Sequence, residues 1–381
     1  MKKTNFARRT AKMFFLAVCL FSVKSTGCAE TLSFPEMKVD HSMELSYAQE
    51  FSVDYYENDC ALIQISEGSR FLVVPEGEEV PEEVDSDIVI LQQPVTDIYL
   101  AATAVMDYFA ALDACDAITL SGTNADGWYV EEAKEAMENG EMIYAGKYSA
   151  PDYELILSKS CKLAIESTMI YHTPEVKEKL MEFGIPVLVD YSSYEPNPLG
   201  RIEWMKLYSV LLGKEDLAEE LFQKQAAQVE ALESEENTGK TVAFFYITSS
   251  GYANVRKPGD YVSKMIEMAG GTYIFSNLDT GDDNALSTMN MQMEEFYAKA
   301  KDADYVIYNS TIDGELKSLD AFLDKSALLA DFKAVKEGNV WCLSKSMFQD
   351  TSSLGNVILD IHSILTEEHP EDHLEYLYCL E

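Results

Sequence analysis

Hydroxyl-bearing and aromatic side chains cluster where the sequence predicts that strands end. In the first half of the chain they are Thr123, Trp128, Tyr148, Ser167, Thr168, Met169, Tyr191, Ser192, Ser193 and Tyr194; in the second half they are Ser249, Ser250, Tyr252, Ser310, Thr311 and Gln349. Aromatic faces beside small hydroxyl groups suit a wall that contacts a large, partly flat molecule with polar groups on its rim. Any single tyrosine of this set could instead pack against the end of its own strand.

Arginine is scarce beyond the first residues of the chain, where only Arg70, Arg201 and Arg256 remain. Arg201 follows a predicted strand end and Arg256 precedes a predicted helix. Two guanidinium groups facing one cleft could bind a carboxylate or phosphate in a bidentate manner, which predicts an anionic ligand. The alternative is an ion pair with a nearby acid, such as Glu195 or Glu203.

Metal-binding residue types are few and scattered. His172 is the only one of the five histidines near the predicted strand ends; it could be an axial ligand of haem iron or a solvated loop residue. The cysteines show no CxxC spacing, so neither a zinc site nor a disulfide framework is predicted. We therefore expect no metal site and no resident cofactor.

Sequence motifs and net charge exclude several classes of function. The chain has 66 acidic and 29 basic residues, a formal net charge of −37, and such a surface repels nucleic acid. A hydrolase on an α/β sheet is a rival hypothesis. The sequence nevertheless contains no Gly-x-Ser-x-Gly turn, no phosphate-binding loop and no dinucleotide-binding glycine motif.

The first residues of the chain are typical of an export signal. A positively charged start precedes an apolar run of eleven residues at 13–23, which is too short to span a membrane. Small residues precede Cys28, as at bacterial lipidation sites, although Ser25 stands where leucine is usual. We expect a signal peptide over 1–27, a lipidated Cys28 and a tether over 28–44; cleavage without lipidation is the alternative.

The remaining pattern predicts four regions that position the polar side chains. Short alternating segments over 45–87 predict an N-terminal β-rich extension. Strands then alternate with helices over 88–197 and again over 237–381, and a helical segment at 198–236 connects the two stretches, with a break at Gly213. The predicted fold class is α/β, with two Rossmann-like lobes joined by a long interdomain helix.

The two predicted lobes contain similar segments. Residues 153–168 (YELILSKSCKLAIEST) and 295–311 (EFYAKAKDADYVIYNST) both predict a helix, a polar turn, a strand and then a Ser-Thr pair. A structural repeat would place both pairs at the carboxyl ends of strands, where open parallel sheets bind ligands. A general strand-helix rhythm would explain the match equally well.

Several short pieces, in order and spacing, resemble the cobalamin and ferric-siderophore family of ABC substrate-binding proteins. They span roughly 88–370 and include 151–153 (PDY), 183–187 (FGIPV), 199–201 (LGR), 211–218 (LLGKEDLA), 266–271 (IEMAGG), 304–307 (DYVI) and 334–340 (AVKEGNV). The resemblance implies a stiff helical joint and a monomeric, cell-surface or periplasmic subunit of an ABC importer. It also implies capture of an iron or cobalt chelate between the lobes. The lipid anchor would be the only contact with the membrane.

The same resemblance implies docking on a permease dimer with its ATPase, through one acid per lobe. The matching positions are Asp97 and Asp260, where the family usually has Glu. An acid in the first turn of a helix also stabilises that helix, which is the simpler explanation of both residues. A surface sensor or adhesin that uses the same fold is the other alternative for the whole chain.

Overall fold

The structure is a computed structural model that describes residues 33–278 and 287–381. The predicted signal peptide and Cys28 lie outside the described residues. Within those residues, no helix is both long enough and apolar enough to cross a membrane.

The N-terminal region forms its own five-stranded sheet. Its strands are β1 (Val39–Ser42), β2 (Phe51–Tyr56), β3 (Ala61–Ile65), β4 (Arg70–Val74) and β5 (Ile88–Gln92), in that spatial order. Phe51 and Val53 are buried while Ser52 between them is exposed, the alternation of a sheet with one solvated face. We expected Ile88 to begin the first α/β lobe, but β5 pairs in parallel with β4 and so belongs to this sheet.

The first α/β lobe contains a fully parallel sheet. Its elements are β6 (Ile98–Leu100), α1 (Met106–Ala111), β7 (Ile118–Ser121), α2 (Glu131–Glu138), β8 (Ile143–Tyr144), α3 (Tyr153–Ser158), β9 (Leu163–Ser167), α4 (Pro174–Glu182) and β10 (Val187–Asp190). The strand order is β10-β9-β6-β7-β8, so the order reverses between β6 and β9. Ligands bind at this reversal point in open parallel sheets.

The start of this lobe differs from the prediction of a helix over 97–112. Residues 98–100 form β6 and helix α1 begins only at Met106. Ile98, Tyr99 and Leu100 are all fully buried, and a short run that is apolar on both faces is typical of a central parallel strand.

The connector consists of two helices, α5 (Pro198–Leu212) and α6 (Glu215–Glu230). Asn197 caps α5 by accepting a hydrogen bond from the backbone of Leu199, and Gly213 ends it in the left-handed conformation at φ 68°. The predicted break at Gly213 is therefore confirmed. Almost all of α5 is buried, because it packs on α1 of the first lobe and on helices of the second.

The second α/β lobe contains a mixed sheet. Its elements are β11 (Thr241–Ile247), β12 (Ala253–Arg256), α7 (Tyr261–Met268), β13 (Thr272–Tyr273), β14 (Thr288–Met291), α8 (Met293–Ala300), β15 (Tyr305–Tyr308), α9 (Ser310–Asp313), α10 (Leu319–Leu323), α11 (Lys333–Glu337), β16 (Val340–Leu343), α12 (Leu354–Thr366) and β17 (Leu377–Cys379). The order is β14-β12-β11-β15-β16-β17, with β13 beside β11. Strands β11, β13, β15 and β16 are parallel, as the strand-helix alternation predicts.

One continuous hydrophobic core links the N-terminal sheet, the connector and both lobes. It includes Phe51 of the N-terminal sheet, Trp204 of the connector and Phe245 of the second lobe. The rings of Phe51 and Trp204 meet edge to face with centroids 5.0 Å apart. The N-terminal sheet is therefore built into the molecule and shares its core.

Candidate functional site

Exposed aromatic and apolar side chains lie at the carboxyl ends of β9 and β10. A short 3-10 helix, Thr168–His172, follows β9, and another, Ser192–Tyr194, follows β10. Tyr171 and Tyr194 are 44% and 43% exposed, and Met169 is similarly exposed. Exposed apolar groups at the carboxyl ends of parallel strands indicate a binding surface.

Three tyrosines of this surface are in mutual contact, and we call Tyr171, Tyr191 and Tyr194 the tyrosine cluster. The hydroxyl groups of Tyr171 and Tyr191 are hydrogen-bonded at 2.8 Å. Their ring centroids are 6.3 Å apart, and those of Tyr191 and Tyr194 are 5.4 Å apart, with interplanar angles of 56° and 54°. The tilted rings of Tyr171 and Tyr194 are about half exposed, and Tyr191 between them is partly buried.

Buried polar groups fix the turn that carries this cluster. Asp190, the last residue of β10, accepts hydrogen bonds from the hydroxyl of Ser192 at 2.6 Å and from that of Tyr208 at 2.7 Å. Burial raises the pKa of Asp190, while these two hydroxyl groups act in the opposite direction. The turn after β10 is therefore attached to helix α5, which is itself immobilised between the lobes.

The carboxyl ends of β6 and β7 are covered by the second lobe. Gln349 is fully buried; its Oε1 accepts from the backbone N of Tyr129 at 2.7 Å and its Nε2 donates to the carbonyl of Gly127 at 2.8 Å. Gln349 was expected to line the ligand site. Its amide is instead used in full by the backbone of the opposite lobe.

Two further hydrogen bonds join the lobes beside Gln349. The hydroxyl of Thr351 donates to the carbonyl of Ala104, and the backbone N of Ser352 donates to Asp107 Oδ2 at 2.6 Å. Burial raises the pKa of Asp107 to about 6, although the hydrogen bonds from Ser352 act in the opposite direction. We call Gln349, Thr351 and Ser352, with their first-lobe partners, the lobe clasp.

The lobe clasp and the tyrosine cluster both lie at the carboxyl ends of the first-lobe strands. The clasp covers the loops after β6 and β7, and the tyrosine cluster follows β9 and β10 on the other side of the strand reversal. The ends of β6 and β7 are covered by the second lobe, whereas the ends of β9 and β10 carry the exposed rings. A ligand bound at the reversal point can contact these rings directly.

The arginines do not face this surface. Arg201 is only 6% exposed and stacks on the ring of Tyr261, 4.2 Å from its centroid. Arg256 lies 3.6 Å from Asp260 in an ion pair that is also largely buried. Both guanidinium groups are thus engaged by acids and aromatic rings within the chain, and neither lies among the exposed side chains at the ends of β9 and β10. The acids named as alternative partners, Glu195 and Glu203, are likewise not the ones used.

The two acids expected to contact a permease differ in position. Asp260 caps α7 by accepting from the backbone N of Val262 at 3.0 Å, and it is 8% exposed. Asp97 directly precedes β6, at the amino ends of the first-lobe strands. It pairs with Lys162 at 2.8 Å, and this ion pair lowers the pKa of Asp97. The helix-cap explanation is therefore confirmed for Asp260 and wrong for Asp97.

Some predicted wall residues are structural. Trp128 is buried and donates its indole N–H to Ser121 Oγ at 3.3 Å. Ser310 is fully buried and donates its hydroxyl to the carbonyl of Leu343, and Thr311 bonds Asn309 at 2.7 Å. These side chains are engaged inside the chain, so Trp128 and Ser310 cannot form an exposed wall.

Other predicted wall residues lie nearer to solvent. Ser167 is the last residue of β9, and Thr168 and Met169 follow it, so both Ser-Thr pairs of the repeat lie at the carboxyl ends of parallel strands. Thr123 is partly buried after β7, Tyr148 is partly buried beyond β8, and Tyr252 is bonded to Thr248 in the turn after β11. His172 is exposed, and no group of three or more potential metal ligands occurs among the described residues.

Sequence reasoning missed Tyr171 and Ile312. Tyr171 stands two residues after Met169, so the same rule of strand ends would have found it. Ile312 is the most exposed large apolar residue of the described chain and directly follows Thr311 at the end of β15. It adds an apolar group from the second lobe to the carboxyl edge of that lobe's sheet.

Comparisons with known proteins agree on one architecture. The sequence profile of a family described as periplasmic binding protein matches residues 100–346. Two uncharacterized lipoproteins of Methanocaldococcus jannaschii are 25% and 23% identical to this chain. The alignments cover 90% and 96% of this chain and 85% and 99% of theirs.

Solved structures show the same fold at low identity. A periplasmic haem-binding protein, HutB of Vibrio cholerae, is 19% identical with a TM-score of 0.57, covering 71% of this chain and 98% of that one. An ABC-type Fe3+-hydroxamate transport system from Saccharomonospora viridis is 18% identical, with a TM-score of 0.55 and coverage of 72% and 94%. The vitamin B12 binding protein BtuF of Vibrio cholerae is 17% identical, with a TM-score of 0.51 and coverage of 70% and 95%.

Proposed function

The chain belongs to the periplasmic binding protein family, and on that premise we propose that it is the ligand-binding lipoprotein of an ABC importer. In this role it captures an iron or cobalt chelate (a siderophore, haem or a corrinoid) between its lobes and delivers it to a permease dimer with its ATPase. Cys28 carries the lipid that tethers it outside the cytoplasm.

The observation that carries this proposal is the tyrosine cluster beside the strand reversal. Three rings with two linked hydroxyl groups offer flat apolar contact and polar rim contact together, which suits a chelate with a large organic framework. The names of the structural neighbours, which specify haem, Fe3+-hydroxamate and vitamin B12, support this class of ligand.

Other features support the transport role. The buried helix α5 between the lobes suits a protein that closes by a small motion around its ligand. The relatives named as lipoproteins support the anchor at Cys28. For contact with the permease, Asp97 retains a carboxylate that is 36% exposed, whereas the carboxylate of Asp260 is committed to its own helix.

The proposal is tested by offering the mature chain a panel of chelates: haem, cyanocobalamin and ferric hydroxamate siderophores. A ligand at ~100-fold its Kd stabilises the native state by about 2.7 kcal/mol, so one chelate should raise the unfolding midpoint by about 4 °C. The double variant Tyr171→Ala, Tyr194→Ala should lose most of this shift.

Tyr144→Ala is the matched control, because Tyr144 is also 44% exposed but lies on β8 at the far edge of the same sheet. It should keep the full shift. Absence of stabilisation by every chelate would contradict the proposal. Normal chelate uptake after deletion of the gene would favour the sensor or adhesin alternative.

A further inference from the structure

We infer that the ligand carries no net negative charge and that the tyrosine cluster receives a cationic or neutral face of it. This inference rests on the proposed function and specifies the charge class of the chelate. It reverses the expectation that two cleft arginines would select an anion.

The first argument is that the arginines have other partners. Arg201 stacks on Tyr261, Arg256 pairs with Asp260, and Arg70 pairs with Asp87 in the N-terminal sheet. These are all the arginines within the described residues. A bidentate receptor for a carboxylate or phosphate is therefore missing from the described surface.

The second argument is the charge of the exposed surface itself. The faces of aromatic rings are electron-rich and attract cations, most strongly when several rings are tilted around one space. The exposed carboxylate of Glu67, on the turn between β3 and β4, acts electrostatically on two of these rings. Burial raises the pKa of Tyr191, and the neighbouring Tyr171 and Glu67 raise it further. Glu67 also raises the pKa of Tyr171, where burial is the largest cause.

The third argument is that a cation of the chain already occupies a ring face here. The ammonium group of Lys177 lies 5.6 Å from the centroid of Tyr171. A ring of the tyrosine cluster therefore already interacts with an ammonium group in the folded chain.

The net charge of the whole chain also favours a ligand that is not anionic. The formal net charge of −37 gives a negative potential around the whole molecule, which raises the local concentration of cations and lowers that of anions. A strongly anionic chelate would have to approach against this potential and would find no arginine at the tyrosine cluster.

Three derivatives of one chelate that differ in net charge but share the same iron-binding framework test the effect of ligand charge on affinity. Ferrioxamine B carries a terminal ammonium group, its N-acetyl derivative is neutral, and its N-succinyl derivative is anionic. We expect the cation to bind at least about tenfold more tightly than the anion at low salt, with the difference shrinking as ionic strength rises. The measurement is quenching of intrinsic fluorescence or calorimetry on the full mature chain.

Two variants test the assigned groups. Glu67→Gln should reduce the cation-to-anion affinity ratio several-fold without abolishing binding of the neutral derivative. Tyr194→Leu keeps apolar bulk but loses the electron-rich ring, so it should weaken the cation more than the neutral derivative. Glu178→Gln, an exposed glutamate on α4, is the control for loss of one negative charge and should leave the ratio unchanged.

The outcomes separate this inference from the proposed function. Tightest binding of the anionic derivative, or binding of dianionic haem in preference to neutral cyanocobalamin, would overturn the charge class while the transport proposal stands. Failure of every chelate to bind would overturn the proposed function, and the inference with it.

Discussion

Buried acids in this chain fall into two kinds. Asp190 is surrounded by hydroxyl donors and the nearby charge of Arg201. Glu166, on β9 beside the candidate site, is fully buried, and neither of its carboxyl oxygens has a hydrogen-bond partner among the described residues. Burial raises the pKa of Glu166 to about 8, so it is mostly protonated at neutral pH.

This isolated carboxyl group predicts a specific pH dependence of stability. Between pH 4.5, the ordinary pKa, and pH 8, the folded chain keeps a proton on Glu166 that the unfolded chain releases. The contribution of Glu166 to stability is therefore greatest at low pH, and the free energy of unfolding falls as pH rises, on the order of 1 kcal/mol per pH unit. Glu166→Gln has no proton to release and should lose this slope.

Urea denaturation at pH 5 and pH 7.5 measures the difference. Relative to the native chain, Glu166→Gln should be more stable at the higher pH than at the lower. Glu182→Gln, at an exposed position of α4, should follow the native chain at both values. Parallel pH profiles for Glu166→Gln and the native chain would show that Glu166 does not titrate in this range.

Single residues also show where sequence reasoning reaches its limit. The rarity of arginine and its place near strand ends were visible in the sequence. The partners were not, because Tyr261 of α7 and Arg201 of α5 are 60 residues apart in the numbering and meet only when the second lobe packs on the connector. Tyr171, in contrast, could have been found by extending the rule already applied to Met169.

At the scale of elements, the lobe clasp joins loops of one lobe to the segment that leads into α12 of the other. Asp107 of α1 accepts from the backbone N of Ser352, just before α12 begins at Leu354, where an acid is favoured by the unpaired N–H groups of the helix. Gln349 adds one accepted and one donated hydrogen bond to backbone. The lobes are thus connected at the clasp and at the connector.

Loss of the glutamine amide should loosen this contact. In Gln349→Ala the backbone N of Tyr129 and the carbonyl of Gly127 lose their partners, at a cost of about 1–3 kcal/mol for groups that remain buried. We expect a larger mean separation of the lobes, seen by small-angle scattering or as a longer distance between spin labels on α4 and α10. We also expect weaker ligand binding.

Gln223→Ala is the matched control, since Gln223 bonds Glu219 within the exposed part of α6. It should leave the lobe separation unchanged. If Gln349→Ala keeps the native distance distribution, the clasp does not set the separation of the lobes.

Elements were predicted best where one local pattern decided them. Helix α4, with Pro174 at its start and Gly184 beyond its end, and the break at Gly213 follow from local backbone preferences. The short strand β6 was taken for a helix because three buried residues are too few to show a period. Strands β12 and β14 were missed, since their pairing is antiparallel and joins segments far apart in the chain.

At the scale of the molecule, two buried glutamates attach the N-terminal sheet to the connector. Glu203 accepts from the backbone N of Ser46, Tyr47 and Ala48 at 2.8–2.9 Å. Glu195 accepts from the backbone N of Gln49 at 3.0 Å and of Glu50 at 2.9 Å. Lys206 lies 3.2 Å from Glu203 and balances its charge.

We expect this joint to make the N-terminal sheet and the lobes unfold together. Glu203→Ala leaves the three part-buried N–H groups of 46–48 without their acceptor and removes the buried one of the two carboxylates that pair with Lys206, a loss of about 3–5 kcal/mol for a buried charged group. We expect the N-terminal sheet to detach at lower denaturant than the lobes, so that a single transition becomes two. Hydrogen exchange of β2 and β3, compared with that of β15, measures the separation directly.

Glu219→Ala is the control, because the carboxylate of Glu219 also pairs with Lys206 but is half exposed. This variant should keep a single unfolding transition. Equal protection of β2 and β15 in Glu203→Ala would mean that the shared hydrophobic core alone couples the sheet to the lobes. The sequence predicted the extension but not this joint, because acids in an amphipathic connector usually face water.

The joint also sets how mechanical load travels through the molecule. Five consecutive backbone N–H groups, from Ser46 to Glu50, are fixed to α5 and to the turn just before it, and these groups precede both lobes in the chain. Tension that enters at residue 33 first loads the bond from the backbone N of Phe34 to the carbonyl of Glu82 and the pairing of β1 with β2, and then these five bonds, which lead to the connector. We expect a pull on the start of the chain to reach the connector before it reaches the lobe clasp, so that it does not by itself separate the lobes.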